Sequence, residues 1–270
     1  MTADAVLRLA GASLAFGERT LWSGLDLDVA PGEFVAVLGA NGSGKTSLLR
    51  VILGLQPLSA GRVEVAGRAV RRGSRAIGYV PQQRRADPLT PLRARDFVGQ
   101  ALDGHRWGPG RPSSRRREIV ARALAEVGAS AYADAPIGVL SGGEQQRIRI
   151  AQSLVSSAEL LLCDEPLLSL DLASQRTVTG LVDRVRRDRG TAVLFVTHEI
   201  NPVLPYVDRV LYLAGGRFRI GTVDDVLNSA TLSDLFGAPI DVVRVGGRIL
   251  VAGVPDVPEQ AHHHEPAEAV

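Results

Sequence analysis

The sequence predicts an α/β fold: a parallel-sheet core, an antiparallel β-subdomain, and an α-helical subdomain inserted into the core. Three observations carry this. Leu160–Cys163 and Ala192–Val196 are continuous apolar runs, the pattern of parallel strands covered on both faces. A third compact run, Glu33–Leu38, leads straight into a glycine-rich loop and then into a helical pattern. Between Gln83 and Val139 β-branched runs become scarce and arginine clusters appear, which marks the helical insertion.

The elements follow in chain order. Val6–Leu27 alternates weakly between glycine breaks and is expected to form short antiparallel strands. Thr46–Leu53 has helical spacing, with Gly54 placed to end it. Gly61–Gly67 and Ala76–Val80 are expected as two more short strands. Inside the insertion, Leu92–Leu102 and Ser114–Val127 are helix-like, and Gly104–Pro112 has linker composition. Arg209–Phe218 is expected as a hairpin. Pro255–Val270, rich in Pro, Glu and His, is expected to be a disordered tail. No internal repeat is present.

Composition narrows the function classes. With 270 residues and 45% hydrophobic content there is ample material for a core. The pI is near 9.0, yet the formal net charge is only +2, so no overall field attracts polyanions. Aromatics at 4% are too sparse for base-stacking platforms, so no nucleic-acid partner is expected. The single cysteine, Cys163, cannot form an internal disulfide, which fits a reducing compartment. The opening MTADAVLRLAGAS does not read as a signal peptide. No apolar run approaches the roughly 20 residues of a membrane helix. The chain is therefore expected not to cross a membrane by itself, which leaves a place against a membrane surface open.

The glycine-rich loop is Gly39-Ala-Asn-Gly-Ser-Gly-Lys-Thr46. Gly39, Gly44, Lys45 and Thr46 match G-x-x-x-x-G-K-[ST] between a strand and a helix, the context of a P-loop NTPase (RecA-like) core. Its glycines let successive N–H groups turn inward as a nest for phosphate oxygens, and the following helix adds its unpaired donors. Gly39, Asn41, Gly42, Ser43, Gly44, Lys45, Thr46 and Ser47 are the candidate phosphate ligands, with the Thr46 hydroxyl a ligand for Mg²⁺. Lys45 is the only lysine in the chain; every other Lys/Arg position is arginine. A slim ammonium with three rotatable donors fits a crowded nest better than a planar guanidinium. Alone, this loop says nucleotide binding.

Leu160–Pro166 is an apolar strand ending in two carboxylates. Asp164 is placed to hold Mg²⁺ through water, and Glu165, one residue on, is a candidate general base.

The run Leu140-Ser-Gly-Gly-Glu-Gln-Gln-Arg147 then resembles the signature of ATP-binding cassette (ABC) ATPases. The same residues form a capping box, Ser141 with Glu144 three residues on, and the two readings coexist because both use the free N–H groups of a helix N-terminus. The resemblance implies that Ser141, Gly142, Gly143 and Glu144 contact the γ-phosphate of ATP held by a partner copy. It implies further that Gln82 reaches Mg²⁺ and the lytic water, with Gln83 adjacent. Asp171, in Ser169-Leu-Asp171, would lie in the loop that crosses the dimer interface. His198, in Thr197-His-Glu199, resembles the switch histidine of the family, and Phe16 stands where its adenine-stacking aromatic, usually Tyr, is found. The motifs occur in family order from about Val6 to Leu235. The domain reading is an ABC ATPase domain over 1–235, its helical subdomain inserted at about 83–155, then a C-terminal extension over 236–254 and the tail.

By the same resemblance, ATP and Mg²⁺ are the cofactors and two chains form a head-to-tail dimer around two ATP molecules. The expected function is the ATPase subunit of a membrane transporter at the cytoplasmic face of the plasma membrane, with separate permease subunits and an extracytoplasmic substrate-binding protein. Arg84, Arg85 and Arg115–Arg117 are either docking cations or a solvated basic face. Thr197–Leu213 and Leu162–Leu172 resemble the ATPase subunits of zinc/manganese-type metal importers. His262–His264 reads as part of an unstructured tail, because further metal ligands are not evident beside it. Two rival classes are a soluble ABC ATPase of cluster assembly and a DNA-clamping ABC ATPase. The second lacks support, because only about 58 positions separate Gln82 from Leu140 and no heptads are sustained.

Overall fold

The computed structural model describes residues 5–82, 87, 90–103 and 113–253. Gln83, Arg84, Arg85, the 104–112 linker, the 255–270 tail and His262–His264 lie outside the described residues.

The chain opens with a meander, β1 (Leu7–Phe16) and β2 (Arg19–Val29), joined in an antiparallel sheet by β4 (Ala60–Val65) and β5 (Arg68–Ala69) in the order β2-β1-β4-β5. Register shifts interrupt the β1–β2 ladder between Leu9 and Ala15, where glycines break the alternation. The strands run longer than the short segments expected from the sequence. Inward positions Leu7, Leu9, Ala12 and Leu14 are buried while the positions between them are not, the alternation of a half-covered sheet.

The main sheet has six strands in the order β10-β9-β3-β8-β7-β6. They are β3 (Phe34–Gly39), β6 (Ile77–Val80), β7 (Leu160–Asp164), β8 (Ala192–Val196), β9 (Arg209–Ala214) and β10 (Arg217–Gly221). All neighbours pair in parallel except the β9–β10 hairpin, which closes the edge as the Arg209–Phe218 pattern predicts. Continuous apolar runs are required in β3, β7, β8 and β9 because these strands bury both faces, whereas the edge strand β10 does not. Val35, Val37, Leu160, Leu162, Leu194 and Leu213 face helix α1 (Lys45–Ile52) and the β-subdomain. Phe34, Ala36, Leu161, Cys163, Phe195 and Val210 face the opposite, helical layer, where Phe34 and Phe195 stack at 5.5 Å.

That layer contains α2 (Ala94–Asp103), α3 (Ser114–Glu126), α4 (Gly142–Leu154) and α5 (Leu172–Arg189). Helices α2, α3 and α4 pack on one another, and α4 also packs on β6 and α5. Helix α5 ends at Gly190 in the left-handed conformation. Its last turn carries Arg186, which donates to Asp183 at 2.8 Å, to Asp208 at 2.5 Å and to the Gly32 carbonyl at 3.2 Å. Asp208 in turn accepts from the Phe34 N–H at 2.8 Å. A nearly buried cation so ties the end of α5 to the start of β3, and the sequence offered no sign of it.

After β10 come α6 (Val223–Val226), α7 (Ser229–Phe236) and a second hairpin, β11 (Asp241–Val245) with β12 (Arg248–Ala252). The Asn201 side chain holds this hairpin at both backbone groups of Ile249, donating to its carbonyl at 2.9 Å and accepting from its N–H at 2.8 Å. No helix among the described residues is long and apolar enough to cross a membrane.

Candidate functional site

Because β3, β9, β8, β7 and β6 run parallel, their C-terminal ends share one edge of the sheet, where α/β folds place ligands. From that edge emerge the phosphate loop after β3, Asp164 ending β7, Glu165 just beyond it, Thr197-His198 after β8 and Pro81-Gln82 after β6.

The loop is built for close backbone approach. Gly39 (φ 146°), Gly42 (φ 75°) and Gly44 (φ 99°) lie in the region that favours glycine. A Cβ at Gly39 would come within 2.3 Å of the Leu213 carbonyl oxygen and 2.6 Å of Ser43 Oγ. A Cβ at Gly44 would press on the buried Trp22 indole at 3.0 Å, so Trp22 forms the floor beneath the start of α1. Helix α1 has no side-chain cap, which leaves its first N–H groups to a ligand. Among the described residues the buried Ser43 hydroxyl has no hydrogen-bond partner. An uncapped helix start, a cradle that excludes Cβ atoms and an orphaned hydroxyl fit a nucleotide polyphosphate. Asn41, Gly42 and Thr46 are exposed, while Ser47 is half-buried.

Lys45 is buried and donates to the Gly39 carbonyl at 2.6 Å and the Ala40 carbonyl at 3.0 Å. Burial pushes its pKa down, opposed by the nearby charges of Glu165 and Asp164. Asp164 is buried and its carboxyl pKa is pushed up by desolvation, against hydrogen bonds from Tyr79 and Thr46. Thr46 Oγ1 donates to Asp164 Oδ1 at 3.4 Å and the Tyr79 hydroxyl donates to Oδ2 at 3.3 Å. Tyr79 is itself pushed up to about 12, chiefly by burial and then by the Asp164 charge, so it stays a donor. A hydroxyl and a carboxylate oxygen converging beside the phosphate cradle are hard oxygen ligands suited to Mg²⁺. No cluster of three His, Cys, Asp or Glu side chains is present among the described residues. Mg²⁺ needs none, since it keeps waters and phosphate oxygens as ligands.

Glu165 adopts a left-handed backbone (φ 47°), unusual for a non-glycine residue. This turns its side chain out of the strand pattern toward His198, whose Nδ1 lies 2.8 Å from Glu165 Oε2. A carboxylate oxygen facing a ring nitrogen accepts from it, which assigns the hydrogen of this bond to Nδ1. The Glu165 N–H donates to the Val196 carbonyl, which locks the end of β7 to the end of β8. A cleft of about 170 Å³ lies between the two following loops, lined by Ser169, Gln175, His198 and Pro202 among others. A larger cleft of about 360 Å³ is lined by Arg8, Glu64 and Glu159. Glu159 precedes β7, so that cleft lies at the strand N-termini, away from all of this chemistry.

The signature residues sit elsewhere. Ser141 caps α4 and exchanges hydrogen bonds with Glu144 in the expected capping box. Gly143 packs against Ser174 at the start of α5, where Asp171 is the N-cap. Among the described residues no hydrogen bond or ion pair joins Ser141 or Glu144 to the 39–47 loop. Phe16 is 50% exposed at the end of β1, so it is not a core residue. Its hairpin partner Arg19 reaches the Gly42 carbonyl at 3.1 Å, which sets this hairpin tip over the loop. Gln82 is exposed immediately after β6.

Sequence reasoning missed Tyr79 and Trp22. Tyr79 sits in an apolar strand, and the available signal was that a buried tyrosine hydroxyl needs a partner.

Comparison with known proteins adds an independent line. Residues 22–168 match the family model described as ABC transporter. The chain is 35% identical over 234 residues to the zinc import ATP-binding protein ZnuC of Pseudomonas entomophila, covering 87% of this chain and 84% of that protein. It is 40% identical over 219 residues to the aliphatic sulfonates import ATP-binding protein SsuB 3 of Nocardia farcinica, covering 80% of each. Among solved structures it resembles a metal-chelate type ABC transporter in an inward-facing conformation (TM-score 0.77, 28% identity, 92% of this chain and 96% of that chain). It also resembles an ATP-binding cassette in a dimeric post-hydrolysis state bound to ADP and Pi (TM-score 0.67, 27% identity, 80% and 98%).

Proposed function

Because the chain belongs to the ABC transporter family and is an ATP-hydrolysing subunit of it, we propose that it powers a separate membrane permease importing a divalent metal ion of the zinc or manganese kind. The observation that carries the catalytic half is the meeting of Lys45, Thr46, Asp164, Glu165 and His198 at the ends of adjacent parallel strands. The cargo half rests on the likeness to zinc import proteins and to a metal-chelate transporter.

In this reading the loop amides of Gly39–Thr46 and the N-terminus of α1 bind the phosphates, Ser43 and Ser47 add hydroxyls, and Phe16 stacks on adenine. Lys45 leaves the Gly39 and Ala40 carbonyls for the β- and γ-phosphates. Thr46, Asp164 and Gln82 would hold Mg²⁺, which would supply positive charge against the charge developing on the phosphates. Glu165 takes a proton from water as its oxygen attacks the γ-phosphorus. The bond to the bridging oxygen breaks, leaving ADP and phosphate. His198, held by Glu165 through Nδ1, orients that carboxylate and contacts the γ-phosphoryl group.

Ser141, Gly142, Gly143, Glu144 and Asp171 act on the partner copy's ATP. This is supported by Val139 and Leu172, which are 67% and 70% exposed beside the signature and Asp171, as expected of apolar side chains awaiting a partner surface. The chain sits on the cytoplasmic face as a peripheral subunit, alongside permease subunits and an extracytoplasmic binding protein.

The test is uptake. Cells carrying the native transporter with this chain should accumulate labelled zinc or manganese, and cells with Glu165→Gln should not. Equal metal uptake in both sinks the cargo assignment. Sulfonate uptake that follows the wild-type chain instead would assign the cargo suggested by the second relative.

A further inference from the structure

We propose that Tyr79 is a positioning residue for the Mg²⁺-holding carboxylate of Asp164, an inference that rests on the metal reading of Asp164 given above. Strands β6 and β7 pair in parallel, with Tyr79 opposite Leu162 and Val80 opposite Cys163. The tyrosine side chain is long enough to span from this register to the end of β7, where its hydroxyl meets Asp164 Oδ2 at 3.3 Å. The other carboxylate oxygen, Oδ1, accepts from Thr46 at 3.4 Å. Each oxygen is thus engaged by a hydroxyl from a different element, one on β6 and one on α1.

The consequence is orientational. A carboxylate held at one oxygen turns freely about its Cβ–Cγ bond, because that torsion is broad. A second bond at the other oxygen removes the freedom and fixes the face presented to the phosphate loop. The Tyr79 ring packs on the same apolar cluster as α1 and the β-subdomain, so the hydroxyl position is set by core packing. A phenol is also a neutral donor. It orients the carboxylate without cancelling the charge a cation needs, as a lysine or arginine at this position would. The ring alone would satisfy the strand, and a half-buried hydroxyl without a partner is a cost. Its presence is therefore explained by the bond to Asp164.

Partners that orient metal-ligating groups typically account for 10–100-fold in metal affinity. The test takes the full chain saturated with a non-hydrolysable ATP analogue, titrates Mn²⁺ and follows free Mn²⁺ by electron paramagnetic resonance, alongside the Mg²⁺ dependence of ATP hydrolysis. Tyr79→Phe and Tyr79→Met both remove the hydroxyl while keeping an apolar side chain on β6. Each should weaken Mn²⁺ uptake and raise the half-saturating Mg²⁺ concentration by about tenfold. Nucleotide binding in EDTA should stay at the wild-type level. Wild-type metal dependence in both variants overturns the role of Tyr79 alone. Equal losses of nucleotide binding in EDTA would mean the hydroxyl only supports the fold, and also overturn it. A wild-type chain that takes up no Mn²⁺ overturns the metal reading of Asp164 and the Tyr79 role with it.

Discussion

Lys45 is the one lysine of the chain, and its surroundings show why arginine does not replace it there. Its ammonium sits within hydrogen-bond reach of two loop carbonyls, at 2.6 and 3.0 Å, inside a cradle too tight for a Cβ at Gly39. A planar guanidinium cannot make those two contacts and then swing to a phosphate through the same space. Lys45→Arg should lower ATP hydrolysis by roughly 10²–10³-fold, the scale of losing one electrostatic stabiliser of the transition state. Its thermal unfolding midpoint should match wild type; near-normal turnover would show that the ammonium shape is unimportant. At this scale the sequence was legible where a residue type is rare or a spacing strict, as for Lys45 and the Asp164–Glu165 pair. It was silent on Tyr79 and on the left-handed turn at Glu165, because both depend on what lies beside β7 in space.

Helix ends carry much of the site's organisation. Asp171 caps α5 through Ser174, accepting from its N–H at 2.8 Å and its hydroxyl at 2.9 Å, and these bonds hold its carboxyl below the usual carboxylate range. The sign follows from linkage. A depressed folded pKa gives stability that is fully present above the unfolded value of about 4 and is lost as pH falls through the folded one. Asp171→Asn removes that contribution. Urea midpoints of wild type and variant should differ at pH 7 and converge in acid; a gap that persists unchanged at pH 3 would contradict the cap's titration. The Ser141–Glu144 capping box and the strand runs were readable because they are local. The β11–β12 hairpin was not singled out, although β-branched residues flank Gly246-Gly247 on both sides, the composition of a hairpin. Its anchor, Asn201 on Ile249, spans 48 positions and leaves no local pattern.

For the molecule as a whole, the division of motifs is decisive. The phosphate loop, Asp164 and His198 share one sheet edge, whereas Ser141–Glu144 and Asp171 gather where α4 and α5 begin. In the proposed reading one chain holds two halves of different sites, and a second copy completes each. Glu165→Gln should bind ATP but hydrolyse it about 10²–10⁴-fold more slowly, the range for loss of a general base. Light scattering should find that variant dimeric in ATP and monomeric in ADP. A variant that stays monomeric in saturating ATP refutes the shared-site arrangement. The sequence by itself determined the class of fold, the phosphate loop and the order of the motifs, because periodicity, glycine placement and fixed spacings are properties of neighbouring residues. Tertiary structure alone decided which strands lie side by side, and hence that Asp164 meets Thr46 and Tyr79, that Glu165 meets His198, and that Arg186 binds α5 to β3. Those contacts join residues far apart in the chain, and only packing of the sheet between its two apolar layers brings them within hydrogen-bond distance.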